Sequence, residues 1–370
     1  MLVQLPYWHR LLLLVVVLQL VPSMGSISQS DSSLSLTNNV SSDSLKKLEV
    51  GDWSSRNGEN EDGPVHIASL GPDIFALDTD TGNWRWHFRP DPNSDVEQLT
   101  VANEVVYAGV ANKVYAIDAK TGSELWQFRS HRGGTFFSSP VVINGVVFAN
   151  AQKDLYAINA ANGGEIWNVE DVANGYYSPD VVDGSIYTGD IDNNIYVIDA
   201  ATGKGKKIFV ADEDITSAMA VSHGTLYFGS SRSLNAVDIE SGAKRWTFRA
   251  GTRVYTPVIY DGVVYAGSMD SNVYALNSDT GSVKWSFGTG DYKEFNLVVV
   301  DGVVYFGSLF QFFALDSVSG GMLWRLKIDT FVTTSALTVP VVMDGLVYFQ
   351  TLDDEIYAVD ASTGEVRWRF

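Results

Sequence analysis

The sequence predicts an all-β fold, an eight-bladed β-propeller built from four-stranded antiparallel blades. The first observation is a segment that occurs eight times, beginning with IFALDTDTGNWRWHF and VYAIDAKTGSELWQF. The Asp or Asn that the copies share recurs every 39 to 44 residues, at Asp78, Asp118, Asn159, Asp199, Asp238, Asn277, Asp316 and Asp360. A period of about 40 belongs to one propeller blade or to a helical repeat. The alternating apolar runs in each copy, such as VVYAG and VYAL, lack helical periodicity and therefore favour the blade.

The four strands of a blade can be placed from the turns between them. In the sixth copy, Pro257 to Tyr260 and Val263 to Ser268 are the first two strands, joined by Asp261-Gly262. Such a pair favours a two-residue hairpin turn with positive φ. Val273 to Asn277 and Lys284 to Phe287 complete the blade. In other copies the same turn position holds Asn144-Gly145, Asp183-Gly184, His223-Gly224, Asp301-Gly302 and Asp344-Gly345.

The N-terminal residues predict a targeting segment followed by a linker. Arg10 precedes an apolar run, Leu11 to Val21, that is short for a membrane span. We interpret residues 1–25 as a cleavable secretory signal, with an uncleaved anchor as the alternative. The serine-rich residues 26–44 are expected to form a flexible linker, so that the propeller occupies residues 45–370. The first copy lacks an obvious first strand, and residues 45–53 are the expected substitute.

Composition excludes several classes of function. The chain has 44 acidic and 25 basic residues and a net charge of −19, which disfavours binding to nucleic-acid phosphates. The absence of cysteine excludes disulfides, thiol catalysis and zinc–thiolate sites. The histidines lack ligand spacing, and Ile195 stands where a calcium loop beginning at Asp190 would require glycine. We therefore expect no metal site and no catalytic residues.

A tryptophan follows the repeated Asp or Asn in seven of the eight copies, within the spacing A-x-D-x-x-T-G-x-x-x-W. A flat indole packs on small residues, and its N–H requires a hydrogen-bond partner when it is buried. The expected docking residues are Trp86, Trp126, Trp167, Trp246, Trp285, Trp324 and Trp368. The fourth copy departs from the pattern, with Val197 at the Ala position and Lys207 at the Trp position. We expect its junction to be the loosest.

This spacing resembles the docking motif of the pyrroloquinoline-quinone-type (quinoprotein-like) β-propeller repeat, and the match covers most of residues 65–370. The chain is also similar to BamB-type outer-membrane assembly propellers, which implies eight blades and a non-catalytic role. Those proteins carry a lipidated cysteine that this sequence lacks. The quinoprotein resemblance implies an alternative, a dehydrogenase with pyrroloquinoline quinone and calcium over a tryptophan floor. Only Trp53 and Trp84 are left for such a floor, and we expect neither cofactor.

The loops that lead into the first strands should surround one mouth of the propeller channel. Aromatic and basic side chains, which serve as anchors in interfaces and ligand pockets, recur in these loops. The candidate binding residues are Arg132, Phe136, Phe137, Tyr176, Tyr177, Arg253, Tyr255, Lys293, Phe295 and Phe331. The alternative interpretation of each aromatic residue is that it fills a gap between blades. We expect Arg132, Arg253 and Lys293 to attract an acidic partner.

We interpret the protein as a non-catalytic, extracytoplasmic scaffold for protein interaction or assembly in the cell envelope. The alternatives are a quinoprotein dehydrogenase and a secreted sensor that binds a ligand or carbohydrate. The expected partner is an envelope or secreted protein, and the propeller itself is expected to be monomeric. The expected location is secreted, periplasmic or envelope-associated, with tethering to the membrane if the signal is not cleaved.

Overall fold

The computed structural model describes residues 13–17, 65–70, 72–78, 84–94, 96, 98–290, 296–329, 340–343, 345–351 and 355–369. In this part of the chain the strands form eight four-stranded antiparallel sheets. The expected all-β, eight-bladed propeller is confirmed. The described residues contain no helix long and apolar enough to cross a membrane.

Each blade is a meander of four strands that are consecutive in the chain. The first four blades contain β1 (Leu13–Val17), β2 (Val65–Leu70), β3 (Asp73–Asp78) and β4 (Trp84–Phe88); β5 (Gln98–Ala102), β6 (Val105–Val110), β7 (Lys113–Asp118) and β8 (Glu124–Arg129); β9 (Val141–Ile143), β10 (Val146–Ala151), β11 (Asp154–Asn159) and β12 (Glu165–Val169); and β13 (Asp180–Val182), β14 (Ser185–Gly189), β15 (Asn194–Asp199) and β16 (Gly205–Val210).

The remaining four blades follow the same order. They contain β17 (Ile215–Ser222), β18 (Thr225–Ser230), β19 (Ser233–Asp238) and β20 (Lys244–Arg249); β21 (Val258–Tyr260), β22 (Val263–Ser268), β23 (Asn272–Asn277) and β24 (Val283–Gly288); β25 (Leu297–Val300), β26 (Val303–Ser308), β27 (Gln311–Asp316) and β28 (Met322–Lys327); and β29 (Val341–Met343), β30 (Leu346–Gln350), β31 (Ile356–Asp360) and β32 (Val366–Arg369).

Two-residue turns join the first and second strands of blades two to seven. Asn144 and Gly145 have φ of 50° and 78°, and Asp261 and Gly262 have φ of 47° and 70°. Positive φ at both central residues matches the right-handed twist of a hairpin. The predicted hairpin turns before blade eight are therefore confirmed, and that at Asp261-Gly262 places Val258 opposite Tyr265 in the ladder. Asp344, of the turn predicted in blade eight, lies outside the described residues.

The hydrophobic core lies in layers between adjacent blades. One layer combines Tyr107 and Trp126 of blade two with Val147 and Tyr156 of blade three. The middle strands are buried on both faces because a blade lies on either side of each, and five of the six residues of β10 are buried. Loops on either face of the ring are thus carried by strands that are packed in the core.

The first strand of blade one is β1, which pairs antiparallel with β2. It also contacts β5, the first strand of blade two, and β30, the second strand of blade eight. It therefore lies between these two blades. The structure fills this position with β1 rather than with the expected residues 45–53, which lie outside the described residues together with the linker, residues 26–44. The interpretation of residues 1–25 as a secretory signal stays a prediction.

Candidate functional site

Tryptophan side chains connect successive blades. Trp126 lies opposite Ala116 in blade two, and its indole rests on Gly163 of blade three. The indole Nε1–H donates a hydrogen bond to the carbonyl oxygen of Ala160 at 2.9 Å. Gly163 has a φ of +69°, and a Cβ there would lie 2.8 Å from two indole carbons. Glycine is therefore required both by the backbone conformation and by the contact with the ring.

The same arrangement recurs at other junctions in the described part of the chain. An indole rests on the glycine of the next blade, and its N–H donates to a carbonyl oxygen there, at Trp86, Trp167, Trp246, Trp285 and Trp324. The side chain of Trp368 lies outside the described residues. The docking motif therefore joins blades and uses its indoles for packing.

The repeated Asp organises the turn that contains the repeated glycine. Asp238 accepts hydrogen bonds from the hydroxyl and the backbone N–H of Ser241 and from the guanidinium of Arg245. The bonds from Ser241, followed by that from Arg245, hold the pKa of Asp238 well below its usual range. Bonds from Ser362 and Arg367 lower the pKa of Asp360 in the same way. These carboxylates stabilise turns and are poor candidates for general bases.

Blade four lacks the docking indole and approaches blade five with its backbone. Val197 pairs with Lys206, and not with Lys207 as the repeat would place it. The carbonyl oxygen of Ile208 lies at Gly242, where other junctions have an indole. Main chain of blade four therefore occupies the place of the missing ring. The sequence pattern did not indicate this contact.

Four of the predicted binding residues meet at one face of the propeller. The rings of Phe137 and Tyr176 stack with centroids 5.0 Å apart and an interplanar angle of 13°. Arg253 donates from Nη2 to the hydroxyl of Tyr177 and to the carbonyl oxygen of Thr216, both at 3.3 Å. These loops lead into blades three, four and six, so the contacts cross blade five. We call Phe137, Tyr176, Tyr177 and Arg253 the rim cluster.

Arg132 lies in an equivalent loop but among carboxylates. Its Nη1 is 3.1 Å from Asp154 Oδ1, 3.4 Å from Asp171 Oδ1 and 3.6 Å from Glu170 Oε2. Their negative charge, that of Asp154 first, raises the pKa of the guanidinium. Because three carboxylates surround it, Arg132 presents no net positive field to an acidic partner.

The other described residues of the predicted set are buried. Phe136 is fully buried beside Tyr156, with ring centroids 6.0 Å apart. Tyr255 is also buried, and its ring centroid lies 5.4 Å from the guanidinium carbon of Arg253. Both positions match the alternative in which the ring fills a gap between blades. The remaining candidates, Lys293, Phe295 and Phe331, lie outside the described residues.

Metal ligands do not converge in the described part of the chain. No group of three His, Cys, Asp or Glu that could hold a metal ion occurs among the residues that the structure describes. Trp53 and the side chain of Trp84 lie outside that part. A cleft between blades four and five was not predicted from the sequence. The signal that could have revealed it is Asn235, which stands where every other copy has Tyr or Phe.

Comparisons with known proteins match this architecture. A family model described as "Outer membrane protein assembly factor BamB" matches residues 38–137, 59–209, 205–308 and 293–370. BamB of Yersinia pestis is 25% identical over 215 residues, which cover 50% of this chain and 54% of that protein. The serine/threonine-protein kinase AfsK of Streptomyces griseus is 35% identical over 121 residues, 30% of this chain and 15% of that protein. The crystal structure of BamB from Moraxella catarrhalis has a TM-score of 0.64 at 17% identity, covering 81% of this chain and 96% of that chain.

The fold and the repeated docking motif define the class, an eight-bladed β-propeller of quinoprotein-type repeats. The chain belongs to the family of the outer membrane protein assembly factor BamB. It spans about half the length of the curated BamB proteins that it matches. At 17% identity the likeness to the solved BamB structure shows the fold alone.

Proposed function

We propose that the protein is a non-catalytic scaffold of the cell envelope that binds a protein partner through the rim cluster. The observation that carries this proposal is the stacked pair of Phe137 and Tyr176, because Tyr176 is 64% exposed in that stack. Exposed aromatic residues beside an Arg are typical anchors of protein interfaces. Membership of the BamB family supports the proposal, since its relatives are named as outer membrane assembly factors.

The rim cluster is ordered before a partner arrives. Asn150 donates from Nδ2 to the carbonyl oxygen of Tyr177 at 2.8 Å, and Arg253 holds the hydroxyl of the same residue. A partner therefore loses little affinity to the ordering of these loops. Because the carboxylates near Arg132 offset its charge, Arg132 should add little charge attraction to this binding.

The same proposal includes a monomeric propeller in a secreted, periplasmic or envelope-associated location, and no resident cofactor. The quinoprotein alternative is tested by adding pyrroloquinoline quinone and calcium and measuring dye-linked alcohol oxidation. We expect no activity above that of heat-denatured protein. Sedimentation of the purified chain measures the oligomeric state, and fractionation of the producing cells measures the location.

Photo-crosslinking in the producing cell tests partner binding. Benzoyl-phenylalanine replaces Tyr176 in one variant and Val318 in the control. Val318 is 82% exposed in the turn between β27 and β28, and because strand direction alternates, this turn lies on the opposite face from the rim cluster. We expect a discrete protein adduct from position 176 alone, decreased about tenfold by Phe137→Ala, as for the loss of an interface anchor. Equal adducts from both positions, or none from position 176, would contradict the proposal.

A further inference from the structure

A repeated aromatic side chain fills space between blades, one residue before the docking alanine position. In seven of the eight copies this third-strand position holds a ring, namely Phe75, Tyr115, Tyr156, Tyr196, Tyr274, Phe313 and Tyr357. In blade five it holds Asn235. Blade five is thus the one copy of the repeat that lacks the third-strand ring.

In several junctions the ring contacts an aromatic residue from the fourth strand of the preceding blade. The ring centroids are 5.3 Å apart for Phe128 and Tyr156, and 4.9 Å apart for Phe248 and Tyr274. The pairs Phe88–Tyr115 and Phe287–Phe313 have the same arrangement. Such separations are typical of favourable aromatic pairs. The third-strand ring therefore closes the gap between two blades.

Between blades four and five the gap stays open. Phe209 occupies the fourth-strand position that Phe128 and Phe248 hold elsewhere, but its third-strand counterpart is Asn235. The result is a cleft of about 410 Å³ with walls that include the rings of Phe209, Phe228 and Phe248. Because an apolar cavity of about 150 Å³ already binds benzene, this cleft has room for an aromatic ring.

Asn235 gives the cleft a polar group with unused capacity. Its Nδ2 donates to Ser230 Oγ at 3.2 Å, and its Oδ1 accepts from Thr247 Oγ1 at 3.0 Å. A side-chain amide has two N–H donors and two lone pairs on its oxygen. These two bonds use one N–H and one lone pair. A polar substituent on a bound ring could therefore form a hydrogen bond here.

The charges at the cleft are already paired. Lys244 Nζ lies 2.5 Å from Asp212 Oδ2, and Arg249 Nη1 lies 3.7 Å from Glu213 Oε1. All four residues line the cleft. Because each cation lies beside a carboxylate, the lining favours a neutral ligand over a charged one.

We propose that the cleft between blades four and five is a binding site for one neutral aromatic ring with a polar substituent. The ring lies against Phe209 and Phe228, whose own centroids are 6.2 Å apart, in the space that a Tyr or Phe ring fills in other blades, and its substituent bonds to the amide of Asn235. A phenolic compound and a tyrosine side chain of a peptide share this chemistry.

The test is a titration of the full chain with phenol, monitored by NMR. Cyclohexanol is the matched non-aromatic control ligand. Phenol should bind with nuclear Overhauser effects to the ring of Phe209, and cyclohexanol should bind about tenfold more weakly because it cannot form the aromatic pairs. Asn235→Tyr restores the ring of the repeat, fills the cleft and should weaken phenol binding at least about tenfold. Asn235→Ala keeps the cleft open, so it should still bind benzene while losing the preference for phenol.

The source of the ring is distinguished by a second arm with the peptide acetyl-Ala-Ala-Tyr-Ala-Ala-amide. Binding as tight as that of phenol assigns the site to a polypeptide, and binding of phenol alone assigns it to a small molecule. The absence of Overhauser effects to Phe209 in the wild type would overturn the proposal, whether or not Asn235→Tyr folds. Equal phenol affinity in wild type and folded Asn235→Tyr would overturn it as well.

Discussion

The contact between Trp126 and Gly163 can be measured by a double-mutant cycle. Trp126→Ala removes an indole that is 8% exposed, together with its hydrogen bond to the carbonyl of Ala160. Replacing a buried Trp by Ala costs about 3–5 kcal/mol in the free energy of unfolding. We expect a loss of that size because the removed ring leaves a gap between two blades and a carbonyl without its donor.

Gly163→Ala tests the other side of the contact. It places a methyl group 2.8 Å from indole carbons at a φ of +69°. Gly145→Ala is the matched control, because Gly145 has a φ of +78° and a Cβ added there would meet no heavy atom within 4 Å. The control measures the backbone strain alone, about 1–2 kcal/mol. Gly163→Ala should cost about 1–3 kcal/mol more, the usual penalty of overpacking.

In the Trp126→Ala background the new methyl group meets no indole. Gly163→Ala should then cost the same as Gly145→Ala, which gives a coupling energy of about 1–3 kcal/mol. Urea unfolding followed by far-ultraviolet circular dichroism measures all the variants without relying on the altered tryptophan. The reasoning is refuted if Gly163→Ala costs no more than Gly145→Ala, or costs the same in both backgrounds.

Three further predictions concern blades four and five. Gly242→Ala should lower the free energy of unfolding, measured in urea, by more than the same change at a docking glycine, because its methyl group collides with the main-chain carbonyl of Ile208. Burial raises the pKa of Asp180 to about 6. The carboxyl is neutral in both states below its unfolded pKa of about 4, so the stability is fully present there. Stability is lost as the pH rises through the folded pKa, because the buried group then becomes charged. Asp180→Asn should therefore raise the free energy of unfolding by about 1–2 kcal/mol at pH 7 but not at pH 4, as compared by urea unfolding. Hydrogen exchange measured by mass spectrometry should be faster in Gly205–Val210 than in Lys244–Arg249, because β16 carries no docking indole.

Much of the fold and part of the site could be predicted because they depend on residues close in the chain. The turn at Asn144-Gly145 and the pairing of Ala116 with Trp126 lie within single blades. Strand positions follow from alternation between such turns. Phe137 and Tyr176 could be assigned to one face because equivalent loops of a cyclic repeat lie on the same side.

The sequence by itself thus determined the eight blades, their strands apart from the first strand of blade one, and the docking indoles that join them. Only the tertiary structure decided that Tyr177 meets Arg253, 76 residues away, and that carboxylates surround Arg132. It also decided that the gap beside Asn235 stays open while main chain covers Gly242. The physical reason is that a repeat specifies contacts within its own period, whereas a departure from the repeat is accommodated by whichever neighbouring blade or loop lies against it.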